Sequence, residues 1–177
     1  MRNLIVFFFL ICSFNCVANS VFLVGSLGAN AVTSVKESGR SESGTGMLIN
    51  SKAGFLIDKL LVGGDLNLSI ISTDDSYYNR LEENSFGVLT GIELVDFCRI
   101  YLVLYPFSTI KHDNGKHKGM GYKFSSAFFL PFFKEASVMF EFRSIEYDKK
   151  KVDGSYNSAP DLQVSSLSIS FGFFFEG

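Results

Sequence analysis

The stretch LQVSSLSISFGFFFE, residues 162–176, alternates between two kinds of side chain. Its large apolar residues occupy every second position: Leu167, Ile169, Phe171, Phe173 and Phe175. Most of the residues between them are serine or glycine. Successive side chains of a β-strand point to opposite faces, so the stretch predicts a strand with one apolar face and one small, polar face. We interpret the apolar face as touching lipid and the small face as lining a barrel.

The bulk composition fits one domain and argues against nucleic-acid binding. The chain has 177 residues, of which 47% are hydrophobic and 19% charged, and it contains 20 Phe. A length of this order supports a single domain. Nucleic-acid binders carry a basic excess, whereas the formal net charge here is -2.

The first twenty residues, MRNLIVFFFLICSFNCVANS, have the pattern of a secretory signal peptide. Arg2 supplies the positive start, an apolar run covers 4–14, and small residues around Ala18 suit cleavage. The apolar run is shorter than the roughly 20 residues that a membrane helix needs. Lipidation at Cys12 or Cys16 is an alternative that stays open. The prediction is a cleaved signal at 1–20, followed by one domain at 21–177.

Seven earlier segments are predicted as further strands. They cover 21–35, 45–57, 60–73, 85–95, 100–110, 120–130 and 137–148. The alternation is imperfect at 51–54, where we expect a bulge. Pro106 removes one hydrogen-bond donor, so we expect a kink or a strand end there. The segment 100–110 is apolar on both faces, which leaves its orientation open.

The eight strands are joined alternately by long and short connections. The short ones are 58–59, 96–99 and 131–136, and the long ones are 36–44, 74–84, 111–119 and 149–161. Outer-membrane barrels have an even strand number, short periplasmic turns and longer extracellular loops. An open sheet edge in lipid would leave backbone groups without partners, so the sheet has to close. The sequence predicts an all-β, closed eight-stranded antiparallel up-and-down transmembrane barrel.

In this pattern the chain resembles the small outer-membrane barrels of the OmpA, OmpX and opacity-protein type. The resemblance covers the whole chain and rests on the strand and loop rhythm. It implies a bacterial outer-membrane location, assembly by the outer-membrane machinery and a monomer. Such barrels usually end on an aromatic residue, whereas here Phe175 is followed by Glu176 and Gly177.

Five charged residues fall on the small-residue face of the predicted strands. They are Asp65, Glu93, Lys123, Glu141 and Arg143. A barrel of eight strands is just wide enough for its side chains to fill it. Buried charges are tolerated only when they are paired. We therefore expect Lys123 and Arg143 to face the three acids and to plug the lumen; a narrow ion-conducting channel is the alternative.

Six lysines cluster in the third and fourth long connections. They are Lys111, Lys116, Lys118, Lys149, Lys150 and Lys151. Lysines beside an outer leaflet suit the phosphates of lipopolysaccharide. The sequence thus predicts a structural or surface-interaction role through four extracellular loops, with lipid and lipopolysaccharide as partners, and no cofactor.

Three other functions are alternatives to this role. Some barrels of this size resemble lipid A-modifying enzymes, and Ser76, His112 and Asp75 could form a nucleophile, base and acid. His112, Asp113 and His117 could bind a metal ion. A secreted lipocalin-like carrier would need an apolar interior and a polar exterior. We expect none of the three: neither a catalytic residue nor a metal ligand is assigned.

Overall fold

The structure, a computed structural model, describes residues 20–37, 40–73, 79–112, 115–152 and 155–177. All of the predicted signal peptide except Ser20 lies outside these residues. No helix within them is long and apolar enough to cross a membrane.

Eight antiparallel strands form a closed barrel in chain order. They are β1 (Ser20–Glu37), β2 (Arg40–Ile57), β3 (Leu60–Thr73), β4 (Arg80–Val95), β5 (Cys98–His112), β6 (Gly115–Leu130), β7 (Phe133–Val152) and β8 (Ser155–Glu176). Strand β1 pairs with β2 on one side and with β8 on the other, which closes the ring. The predicted fold class and strand number are confirmed.

One end of the barrel is made of three two-residue turns. They are Asp58–Lys59, Asp96–Phe97 and Pro131–Phe132. Asp58 has a φ of 54°, in the left-handed region that Asp tolerates better than most residues. The start of β1 and the C-terminal residue Gly177 lie together at this end, because Val21 and Gly177 exchange two backbone hydrogen bonds. In the topology of outer-membrane barrels this is the periplasmic end.

The exterior carries an apolar belt, which consists of the exposed apolar side chains on the outer face of the strands. Near its upper edge lie Val32, Met47, Ile70, Phe86, Phe107, Met120, Phe142 and Leu167. Phe171 and Phe140 lie on the belt and are 65% and 49% exposed. Lys123 and Glu141, by contrast, are buried inside the barrel. This polarity is the reverse of what a lipocalin-like carrier needs.

The long connections are much shorter than predicted, which corrects the sequence analysis. Strand β7 runs for 20 residues and β8 for 22, so most of the expected loop 149–161 is strand. Likewise Arg40 to Gly44 pairs with β1, and 80–84 pairs with β3. The barrel therefore continues well beyond the apolar belt.

The reason for this extension is an inversion of polarity along the strands. Above the belt the outward side chains are polar, and many of the inward ones are apolar and buried. The inward set, which we call the upper apolar layer, is Val35, Ile71, Leu81, Ile110, Ile145, Leu162 and Val164. Apolar burial stabilises this part of the wall as it would in a water-soluble barrel.

Two local predictions have different outcomes. The prediction of a bulge at 51–54 is wrong, because the register of β2 with both neighbouring strands is unbroken there. At Pro106 the ladder is interrupted by a register shift between Tyr105 and Ser108 rather than by a strand end. The strand nevertheless continues to His112, with Tyr101 and Tyr105 turned inward and Leu104 outward.

Candidate functional site

The barrel interior contains a cluster of four buried charges at the height of the apolar belt. This central charge cluster consists of Lys52, Asp65, Lys123 and Glu141. Lys123 Nζ lies 2.8 Å from Asp65 Oδ2 and 3.5 Å from Glu141 Oε1. Lys52 Nζ lies 3.2 Å from Glu141 Oε1 and 3.7 Å from Asp65 Oδ2. Two cations and two anions thus balance each other.

Neutral side chains complete the hydrogen bonds of the two carboxylates. Asn50 Nδ2 donates to both oxygens of Asp65 at 3.0 Å, and Tyr105 OH donates to Oδ1 at 2.6 Å. Ser125 Oγ donates to Glu141 Oε1 at 3.2 Å, and Lys52 Nζ donates to Asn50 Oδ1. Buried ionic groups are tolerated when their hydrogen bonds are satisfied in this way.

Asp65, Lys123 and Glu141 were predicted to meet inside the barrel, whereas Lys52 was not among the predicted lumen residues. The unbroken alternation from Leu48 through Asn50 to Lys52 puts all three on the inner face. That alternation is the signal that could have found it.

Arg143 pairs with a partner that the sequence analysis missed. Its Nη1 atom lies 2.8 Å from Oε1 of Glu83, and both side chains are buried. Glu83 was expected in a loop, but β4 extends to Arg80 and turns Glu83 inward. Arg143 therefore sits above the central charge cluster.

Glu93 also differs from its expected position. It lies near the periplasmic end, where Arg99 donates to its Oε2 from Nε at 2.7 Å and approaches it from Nη2 at 2.6 Å. The Arg99 guanidinium lies 3.8 Å from the ring centre of Phe174 and 4.8 Å from that of Phe129. We call this arrangement the periplasmic-end cluster. Glu93 lies near the end of β4, next to the turn Asp96–Phe97, whereas Lys123 lies in the middle of β6. The two side chains are therefore at different heights along the barrel axis and do not pair.

Five lysines form a basic area on the outer wall, which we call the outer lysine patch. Its members are Lys111, Lys116, Lys118, Lys149 and Lys151, all exposed. Lys111 is the cross-strand neighbour of Lys116, and Lys118 is that of Lys149. Lys118 Nζ also lies 4.0 Å from the ring centre of Tyr156. The patch lies on β5, β6 and β7 above the apolar belt, and it comes closest to the belt at Lys118, next to Met120 on the outer face of β6.

Lys150, which was predicted together with the other five lysines, does not lie in this outward patch. A register shift between Tyr147 and Lys149 adds one residue to β7. Lys150 is therefore opposite the inward His117 and only partly exposed. Burial, with His112 and then Lys150 nearby, lowers the pKa of His117 to about 4, although Glu37 acts in the opposite direction.

A lateral groove lies on the outer wall beside the outer lysine patch. It has a volume of about 740 Å³, and its apolar lining includes Val88, Leu104, Pro106, Met120 and Tyr122. Ser144, Glu146 and Gln163 add polar atoms to its rim. A smaller depression of about 270 Å³ shares Pro106 and Met120 with it and reaches Lys118, Lys149 and Asp148. Together they connect the apolar belt with the patch.

The candidates for catalysis and metal binding are only partly described. Ser76, Asp75 and Asp113 lie outside the described residues. His112 contacts His117, with their Nε2 atoms 3.2 Å apart. Within the described part of the chain, no group of three or more His, Cys, Asp or Glu is arranged to hold a metal ion.

Comparison with known proteins identifies the fold through structure. No family model matches the sequence, and no curated protein matches it significantly. Ail, the attachment invasion locus protein of Yersinia pestis, matches with a TM-score of 0.56 and 14% identity, over 87% of this chain and 98% of that one.

Two further solved structures match over a similar length. Ail in complex with the heparin analogue sucrose octasulfate gives a TM-score of 0.56 and 13% identity, over 88% of this chain and 99% of that one. Neisserial surface protein A gives 0.52 and 13%, over 86% of this chain and 96% of that one.

The fold and the exterior lead to the same conclusion. A closed barrel with an apolar belt outside and charged residues inside suits a bilayer, because closing the sheet leaves it without an open edge and the apolar side chains meet lipid. The chain therefore has the fold of the small outer-membrane β-barrels, and the predicted outer-membrane barrel is confirmed.

Proposed function

We propose that this barrel has a plugged lumen and binds lipopolysaccharide on its outer wall. The outer lysine patch holds the phosphates, and the lateral groove takes an acyl chain of the same lipid. The observation that carries the proposal is the position of the patch: Lys118 is the first outward residue above the apolar belt on β6, and the other four lysines lie further up the same side of the outer wall.

The height of the patch fits a lipid head group. On β6 the outward residues are Tyr122, Met120, Lys118 and Lys116 in upward order. Met120 is an exposed belt residue, so Lys118 is the first outward position above the belt. A strand rises about 3.3 Å per residue, so Lys118 and Lys116 lie within roughly 15 Å of Met120 along the strand. Lipid phosphates occupy this level.

The arrangement of the lysines favours an anionic ligand. Like charges directly opposite on neighbouring strands destabilise a sheet. Lys111 faces Lys116, and Lys118 faces Lys149, so the patch contains two such pairs. Glu82, Glu146 and Asp148 are outward acids nearby, but they are fewer than the lysines. A bound phosphate between the lysines would offset their repulsion.

The apolar groove favours a lipid over a soluble polyanion as the ligand. Its apolar lining continues the belt, and the depression above it ends at Lys118 and Lys149. Ligand sites in proteins commonly have volumes of about 300–1,000 Å³, a range that includes this groove. The Ail complex with sucrose octasulfate supports anion binding by a barrel of this fold, although that ligand has no acyl chain.

Neutralising two central lysines of the patch should weaken lipid A binding. An anionic surface contributes about 1 kcal/mol per lysine, so the variant with Lys118→Gln and Lys149→Gln should lose about thirtyfold in affinity. Native mass spectrometry of the barrel released from non-ionic micelles, titrated with lipid A, measures this loss.

The matched control is Lys59→Gln with Lys134→Gln, two exposed lysines at the opposite end of the barrel. This variant should bind lipid A as the unaltered protein does. Equal binding by both variants, or equal binding of dephosphorylated lipid A, would contradict the phosphate contact. Sucrose octasulfate binding as tightly as lipid A would contradict the acyl-chain contact.

The side chains inside support a plug over a channel. The periplasmic-end cluster, the central charge cluster and the upper apolar layer follow one another along the barrel axis, and nearly all of their side chains are buried. Purified barrel in a planar bilayer should therefore give no unitary current steps. Regular steps from protein whose folding is verified by heat-modifiable gel mobility would favour the channel instead.

A further inference from the structure

The two histidines meet inside the barrel, above the belt. Both lie on the inner face of the hairpin β5–β6, where Ile110 pairs with His117 and His112 pairs with Gly115. They are therefore diagonal neighbours across the two strands. Their side chains are buried, and their ring centres lie 5.2 Å apart. This site is separate from the outer lysine patch, which faces away from the lumen.

The distance between the two rings matches a shared metal ion. The Nε2 atoms are 3.2 Å apart. Two nitrogens bound to Zn²⁺ at 2.0–2.1 Å and a tetrahedral angle lie about 3.3 Å from each other. The side chains would thus need almost no movement to chelate an ion between them.

We propose that His112 and His117 bind one divalent transition-metal ion of the Zn²⁺, Ni²⁺ or Cu²⁺ class through their Nε2 atoms. Imidazole nitrogen is a preferred ligand of all three ions. Two protein ligands leave further coordination positions for water or for a group carried by an outside partner. The site is thus an open one rather than a closed structural site.

Two neighbouring charges set the affinity of this site. Lys150 is the cross-strand neighbour of His117 and turns inward, so its ammonium group disfavours a bound cation. The carboxylate of Glu37 acts to raise the pKa of His117, so it favours a cation there. Replacing Lys150 should therefore tighten metal binding, whereas replacing either histidine should weaken it.

The test uses full-length mature barrel without a polyhistidine tag, stripped of metal and held in non-ionic micelles. Calorimetric titration with Zn²⁺ should show one ion per barrel. His112→Gln and His117→Gln should each weaken binding by at least about tenfold, in the range that loss of a supporting contact already costs at metal sites. Lys150→Met should strengthen it, and Glu82→Gln on the outer wall should leave it unchanged.

A second measurement needs no variant and so does not depend on the folding of one. The electron paramagnetic resonance spectrum of unaltered barrel with one equivalent of Cu²⁺ should show hyperfine coupling to two imidazole nitrogens. Absence of stoichiometric Zn²⁺ binding, a Cu²⁺ spectrum without two nitrogens, or full binding by folded histidine variants would overturn the proposal.

Discussion

Replacing Lys123 with Met should lower the free energy of unfolding of the barrel by about 3–5 kcal/mol, the usual effect of removing one partner from a buried ion pair. Lys123 contacts both Asp65 and Glu141, and all three side chains are buried. Its loss leaves two carboxylates facing one cation, Lys52, in the middle of the barrel. Urea unfolding of the protein in micelles measures this change. The unfolding is monitored by the near-ultraviolet signal of the tyrosines, because the chain contains no tryptophan.

The double variant Lys123→Met with Glu141→Gln separates charge imbalance from lost packing. It removes one cation and one anion, so the remaining pair of Lys52 and Asp65 is neutral, and it should recover more than half of the lost free energy. Lys134→Met, at an exposed position near the third turn, should change stability by less than about 0.5 kcal/mol. A double variant no more stable than Lys123→Met would show that charge balance is not what the cluster supplies.

The second large effect is expected on the lipid side. Phe171 is near the middle of the apolar belt of β8 and is 65% exposed. Phe171→Lys should lower the free energy of unfolding by about 2–4 kcal/mol, because a lysine at the bilayer midplane must be taken into hydrocarbon. Unfolding and refolding in phospholipid vesicles measure this value.

The matched control lies on the same strand. Gln163 is outward and exposed above the belt, so Gln163→Lys should have almost no effect on stability. A soluble barrel predicts the opposite outcome at the first position, since an exposed Phe→Lys change in water is nearly neutral or favourable. Equal stabilities of the two lysine variants would therefore contradict a lipid-facing belt.

The strand segments within the bilayer were largely predictable, because their apolar residues face the lipid and alternate with small or polar residues that face the lumen. β3 was placed from Leu60 to Thr73, as observed. Strand ends beyond the belt were not predictable by that rule. Leu81, for example, is an inward apolar residue of the expected loop 74–84, where the polar and apolar sides have exchanged places, and a search for an apolar outer face stops before reaching it.

The candidate site was predictable in part for a similar reason. Parity alone puts Asp65, Lys123 and Glu141 on the inner face, but parity does not give height along the barrel axis. Height separates Glu93 from Lys123 and gives Arg143 a different partner, Glu83. One extra residue in β7 then turns Lys150 inward and leaves Lys149 and Lys151 outside.

The sequence by itself determined the number of strands, their order and, for every strand except β5, which face meets lipid, because these depend only on the two-residue period and on the turns. The closed sheet decided which charges pair, since residues far apart in the chain become neighbours only when strand stagger fixes their heights. Lys52 and Glu141 are 89 residues apart, yet their atoms lie 3.2 Å from each other. The meeting of His112 with His117 and the path of the lateral groove likewise depend on the register of β5, β6 and β7.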